Sequence, residues 1–184
     1  MKLIHVYPDS FVFEEPHRKV SGKNRLTISC HGNRERLIIN GISYNPLQIS
    51  LLIHGWTDLA KLHSIRVLSC RSANSDPNEY IQHLVVESIP PYSTSFASQL
   101  SVHLPNIFVR GYSWRLATTC NFPIVWNRYR TEGIQATADL LTQHFVIIKN
   151  NPRYHYHCVV FLNGRAVKQN YQTQTINGSD FACL

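Results

Sequence analysis

Two short apolar runs in this chain end at reactive side chains, and the segment between them leaves few ways of joining them. Leu26-Thr27-Ile28-Ser29-Cys30 runs into His31-Gly32, and Ile65-Arg66-Val67-Leu68-Ser69 runs into Cys70. Between them, Arg36-Leu37-Ile38-Ile39, Asn40-Gly41 and Ile42-Ser43-Tyr44 form a hairpin signal, because Asn-Gly supplies the positive φ angles of a two-residue turn. Asn45-Pro46 then offers an N-cap followed by proline at the first helical position. Leu47, Ile49, Leu51, Leu52 and Ile53 predict an apolar helix to about His54-Gly55. The order is therefore strand, His-Gly, hairpin, helix, strand, Cys.

A strand that stops at a reactive side chain presents it rigidly at the rim of a sheet. Two such strands side by side would oppose the imidazole of His31 to the thiol of Cys70, which is a cysteine nucleophile with its base. A free thiol ionises near pH ~8.5, so an imidazole that takes its proton makes a useful nucleophile at neutral pH. Alone, a Cys ending a strand reads as a small buried hydrophobe, and a His-Gly reads as a turn. Their joint order carries the assignment. Cys30 directly precedes His31, so its side chain points to the opposite face of an extended strand and is assigned to the core.

At these residues the sequence resembles the caspase-like cysteine peptidases, in which a strand ending in His-Gly is followed by a hairpin, a helix and a strand ending in the nucleophile. The nearer likeness is to the self-processing cysteine protease domains of large bacterial toxins and to small type III secreted effectors of the same fold. The likeness spans about 26–114. It implies that the backbone N–H groups of Gly32 and Cys70 line the oxyanion site, where a lost donor costs roughly 3–4 kcal/mol in other enzymes. It also implies an acidic residue upstream that orients the His. Asp9, Glu14 and Glu15 are the candidates, and a backbone carbonyl could serve instead. The toxin domains are activated by inositol hexakisphosphate in a basic pocket, so the same small polyphosphate is the cofactor to test here.

Charge is compatible with such a ligand. Eighteen Lys and Arg against eleven acids give a net charge of +7, which suits nucleic acid, an anionic membrane or a polyphosphate. No dense basic run and no RNA or DNA motif appears, which argues against nucleic acid. In the second half, where acids are scarce, Arg110, Arg115, Arg128, Arg130, Lys149, Arg153, Arg165 and Lys168 are the candidate inositol-phosphate ligands. A solvated basic surface without a ligand is the competing interpretation.

The five cysteines are odd in number and lack CxxC spacing, which disfavours a disulfide framework or zinc ribbon and suits a reducing compartment. No run reaches the ~18–20 apolar residues of a bilayer span, and residues 1–7 are too short for a signal h-region. With 43% hydrophobic residues in 184, one α/β domain over 1–184 is expected.

Beyond Cys70, the stretch up to Pro90-Pro91 reads as a loop bordering the substrate groove. A helix from Ser93 or Thr94 carries Phe96, Leu100 and Leu104. Ile107-Phe108-Val109 is a strand, at whose end Tyr112 and Trp114 are candidate substrate-binding residues. Thr131 to Leu141 predicts a short helix and Phe145 to Lys149 a strand. Tyr154 to Val167, turning at Asn163-Gly164, predicts a second hairpin within a flap at about 143–170. His155, His157 and Cys158 alone make a weak metal set, and none is assigned. The tail from Asn170 is polar and without periodicity.

The expectation is a caspase-like three-layer α/β sandwich, a largely parallel sheet flanked by helices with a C-terminal β-hairpin extension. The resemblance implies a cysteine endopeptidase with His31 and Cys70 as its dyad and a protein as substrate, delivered as a secreted bacterial effector into the host cytosol. The alternative is a catalytically inactive caspase-like domain that binds a partner protein or polyanion through its basic surface.

Overall fold

The computed structural model describes residues 1–75, 94–113, 115–148, 156–174 and 180–183. The predicted loop at 76–91, Trp114, Lys149, Arg153, Tyr154 and His155 lie outside them.

The chain opens with β1 (Lys2–Tyr7) and β2 (Ser10–Pro16), antiparallel neighbours that sequence reading did not assign. β3 (Asn24–Gly32) pairs antiparallel with β2, Ser10 lying opposite Cys30. β4 (Leu37–Ile39) and β5 (Ile42–Tyr44) follow as the expected hairpin. Asn40 and Gly41 both have positive φ, 52° and 72°, the pair a tight primed turn requires. β4 pairs with His31 and Gly32 at the tip of β3.

α1 (Pro46–Trp56) begins at Asn45, whose side chain accepts from the Gln48 N–H at 2.9 Å while the Gln48 side chain accepts from the Asn45 N–H at 2.9 Å. That reciprocal cap satisfies two otherwise orphaned donors, so the predicted start holds. A single 3-10 turn at Leu59–Lys61 leads into β6 (Leu62–Leu68), parallel to β3. α2 (Phe96–His103), capped by the Ser95 hydroxyl, crosses to β7 (Phe108–Tyr112), parallel to β6. β8 (Tyr156–Leu162) turns at Asn163-Gly164 into β9 (Arg165–Gln174), which pairs with β10 (Asp180–Cys183). The described residues beyond Asn170 are thus strand, although their composition is polar and without periodicity.

The main sheet runs in the order β1-β2-β3-β6-β7-β8-β9-β10. Parallel pairing is confined to the central β3, β6 and β7, and antiparallel strands extend both sides, so the sheet is mixed. α1 and α2 cover one face, burying Ile49, Ile53, Phe96 and Leu100 against Leu26, Ile28, Ile65, Val67 and Val109. Burying one such side chain contributes about 1.5–3 kcal/mol.

The other face carries α3 (Phe122–His144), whose Val125, Ala138 and Leu141 pack on Leu3, Phe11 and Phe13. It corrects the expected 131–141 helix. Asn121 caps it by accepting from the Ile124 N–H at 3.0 Å, and Gly133 interrupts it with φ 83° and ψ −174°. Ile134, at helical spacing from Ala138 and Leu141, is nevertheless exposed. The strand expected at Phe145 to Lys149 is, within the described residues, an isolated bridge from Thr118 to Ile147.

Polar groups also join β7 to the flap. The buried Ser113 hydroxyl lies 2.5 Å from His157 Nδ1, and His157 Nε2 lies 2.9 Å from Gln169 Oε1. Burial lowers the pKa of His157, with the Gln169 contact partly opposing it. An unfolded imidazole takes up its proton near pH ~6.5 while the folded one resists, so stability is present above that pH and is lost as pH falls through it. The melting temperature should therefore drop between pH 7.5 and 5.5, and His157→Gln should make that slope shallower; an unchanged slope would remove His157 from the account.

Candidate active site

The pairing of β3 with β6 brings the two expected residues to one rim. Thr27 lies opposite Arg66 and Ser29 opposite Leu68. The paired register ends there: His31 follows two residues on at the tip of β3, and Cys70 follows two residues beyond Leu68, in the turn after β6. Leu26, Ile28 and Cys30 turn toward α1 and α2, so by alternation Thr27, Ser29 and His31 turn toward α3. The exposed His31 ring meets the Phe122 ring at the start of α3 edge-on, with centroids 4.8 Å apart. Cys70 is half-buried, and the Leu116 N–H points at its sulfur from 3.5 Å. Leu116 packs with Leu68 on that face. No direct hydrogen bond joins imidazole and thiol among the described residues, a looseness common to unliganded catalytic pairs.

Both tips are held from behind. After Cys70 the chain reverses through Arg71, at φ 57°, and is pinned to its neighbours. The Ala73 N–H donates to Tyr112 O at 2.9 Å, the Ala97 N–H donates to Ser72 O at 2.9 Å, and the Tyr112 N–H donates to Ser72 Oγ at 3.0 Å. A Cβ on Gly32 would stand 2.5 Å from Ser69 Oγ and 2.6 Å from Arg36 O. Only glycine permits the β3 tip to approach the Cys70 strand this closely.

The three acidic candidates are engaged elsewhere. Asp9 accepts from the backbone N–H groups of Asn40 at 2.8 Å and Gly41 at 2.7 Å, clamping the hairpin turn. Burial alone would raise its pKa, and these bonds together with the Ser10 hydroxyl outweigh that, leaving it low. Glu14 accepts from Asn24 and, at 2.8 Å, from the Thr57 hydroxyl. Glu15 pairs with Arg66 at 3.1 Å and Arg25 at 3.5 Å. None of the three has a recorded contact with His31.

Of the expected substrate contacts, Tyr112 is corrected: it is 1% exposed and packs with Leu68, Cys158 and Val160. As the last residue of a central strand, it faces inward and supports the Cys70 strand. Cys30 is buried, as its place in the alternation required, and burial pushes its thiol pKa well up. Cys120 and Cys158 are buried too, whereas the Cys70 thiol is partly accessible.

A second feature lies on the same face, at the other end of the parallel strands. A cleft of about 850 Å³ is lined by Arg18, Lys19, Arg25, Arg66, Arg110 and Lys168, with His17 and His63, against one carboxylate, Glu15. Arg66 lies opposite Arg110, Arg110 opposite Val160, and Val160 opposite Lys168. Burial first, and the neighbouring arginines after it, lower the pKa of both Arg25 and Arg66. Of the expected anion ligands, Arg110 and Lys168 are here. Arg115, Arg128, Arg130 and Arg165 do not line the cleft, and Arg128 pairs with Glu132. Sequence reading missed Arg18, Lys19, Arg25 and Arg66, although an arginine inside the apolar run of a central strand is itself a signal.

Among the described residues no group of three or more His, Cys, Asp and Glu is arranged to hold a metal ion, and no helix is long and apolar enough to cross a membrane. No family model, curated protein or solved structure matches this chain.

Two outcomes follow. Ser69 Oγ is buried without a hydrogen-bond partner, so Ser69→Ala should raise stability by about 1 kcal/mol, whereas Gly32→Ala should lower it by about 1–3 kcal/mol through overpacking; chemical denaturation with the reverse ordering would refute the close approach. His17 and His63 meet at 4.4 Å in the cleft, and burial, then His63 and nearby cations, lowers the pKa of His17. A bound polyanion opposes that shift, so binding takes up protons and tightens as pH falls. Titration with inositol hexasulfate, whose charge does not change with pH, should show higher affinity at pH 6 than at pH 8, and His17→Asn should flatten the profile.

Proposed function

We propose that this chain is a cysteine endopeptidase in which Cys70 attacks a peptide carbonyl and His31 takes and returns the proton. The observation that supports the reading is the parallel pairing of β3 with β6, whose last pair, Ser29 opposite Leu68, lies two residues before His31 on one strand and two before Cys70 on the other. The thiol proton passes to the imidazole as sulfur bonds to the carbonyl carbon. The resulting oxyanion would lie on the N–H groups of Gly32 and Cys70, and the imidazolium would protonate the leaving amine. Water, deprotonated by the same imidazole, would then release the acyl group. No carboxylate is needed to hold the ring, because Phe122 already braces it.

The caspase-like likeness adds that the basic cleft would hold a small polyphosphate such as inositol hexakisphosphate as an activator. The cleft and the dyad share β6: Arg66 precedes Cys70 by four residues, about 13 Å at ~3.3 Å per residue. A delivered effector working on a host protein in a reducing cytosol fits this reading. A second reading, an idle caspase-like domain that binds a polyanion or partner, draws on the missing hydrogen bond between His31 and Cys70.

A peptidyl electrophile decides between them. It should modify Cys70 alone, and His31→Ala should slow modification by ~100-fold or more. Peptide hydrolysis should vanish in Cys70→Ala, and inositol hexakisphosphate should accelerate it. Slow, indiscriminate labelling of several cysteines that is indifferent to His31 would support the idle domain.

A further inference from the structure

The basic cleft has a second wall. Alongside the cations it is lined by Phe108, Phe145, Val146, Ile147 and Val167. Val146 is 57% exposed and Val167 46%, so the apolar surface stands open to solvent inside a strongly cationic pocket. A ligand that is polar all round, such as a naked polyphosphate, would satisfy the arginines and leave that wall wet.

The wall also has a flat, aromatic component. His17, His63 and Phe108 form a chain of rings with centroids 4.4 and 5.2 Å apart. Arg66 lies 5.5 Å from the centre of the Phe145 ring, which aligns guanidinium and ring as a stacking surface. Phe108, Val146 and Val167 together give the cleft apolar lining that a planar heterocycle can cover. Its charged substituents would reach the row formed by Arg66, Arg110 and Lys168.

We infer that the cleft binds a nucleoside polyphosphate, with its phosphates on Arg66, Arg110 and Lys168 and its base against Phe108, Phe145 and Val167. The inference rests on the cleft being an anion site and goes further by naming the class of ligand. Burial of a base on such a surface contributes affinity beyond charge neutralisation, because base–aromatic stacking is favourable whichever base is present. Binding should therefore be sensitive to the ring and tolerant of its identity.

The test is calorimetric titration of the full chain with ATP, GTP, tripolyphosphate, inositol hexakisphosphate and an alkyl triphosphate. ATP and GTP should bind with similar affinity and at least tenfold more tightly than tripolyphosphate. Val167→Asp should erase that advantage and Arg110→Ala should weaken all five ligands. Thermal melting without ligand checks that each variant folds, and Phe108→Leu, which keeps the wall apolar but removes a ring, serves if Val167→Asp does not. Equal affinity for ATP and tripolyphosphate would overturn the inference while leaving the anion site intact. An alkyl triphosphate as good as ATP would overturn the assignment of a ring, and binding of none of the five would remove the anion site as well. Cys70 labelling in the absence of any ligand tests the dyad separately, and none of these outcomes decides it.

Discussion

The parallel register between β3 and β6 is the constraint on which the rest of the molecule depends. Parallel strands cannot be joined by a tight turn, so the chain must leave the tip of β3, cross one face as α1, and return to start β6 at the far end. Because both strands point the same way, their endings fall on one rim. The hairpin β4–β5 then occupies the edge of β3 that β2 vacates beyond Cys30. His31 is therefore flanked by β4 on one side and by the Cys70 turn on the other. Asp9 fixes the hairpin, and the contacts of Ser72 and Ala73 fix the turn.

The opposite end of the same strands carries an electrostatic cost. Arg66 and Arg110 are cross-strand neighbours, and like charges placed so oppose folding. One carboxylate, Glu15, is shared between Arg25 and Arg66. A fold that needed only stability would place apolar residues at these central positions, as it does at Val67 and Val109 on the reverse face. The cost is understandable if the charges meet an anion.

The features legible in the sequence were those with local causes. Asn40-Gly41 and Asn163-Gly164 turn because of their own backbone preferences, and α1 starts at Asn45-Pro46 because its cap is built from adjacent residues. The strand endings near His31 and Cys70 and the burial of Cys30 were legible because strand alternation and crossover order are short-range rules. What was missed is set at long range. β1 and β2 are strands because Phe11 and Phe13 find α3 and Phe145. The first half of α3 has only Asn121 and Pro123 to announce it. Tyr112 was misjudged because aromatic residues at a strand end look alike in sequence whether they face a groove or a core. The cleft gathers cations from five strands and loops, so no window along the chain contains it.

α3 touches both ends of this arrangement. Phe122, its first residue, lies under the His31 ring, while Leu141 near its last turn and the adjoining Phe145 line the cleft. An unbroken helix of 23 residues would be a rod roughly 34 Å long, obliging both contacts to shift as one. The interruption at Gly133 makes it two shorter rods that share a joint. Each half can seat against its own part of the sheet, so a guest on the remote apolar wall would act on the Cys70 end along β6 while the imidazole's footing on α3 stays level.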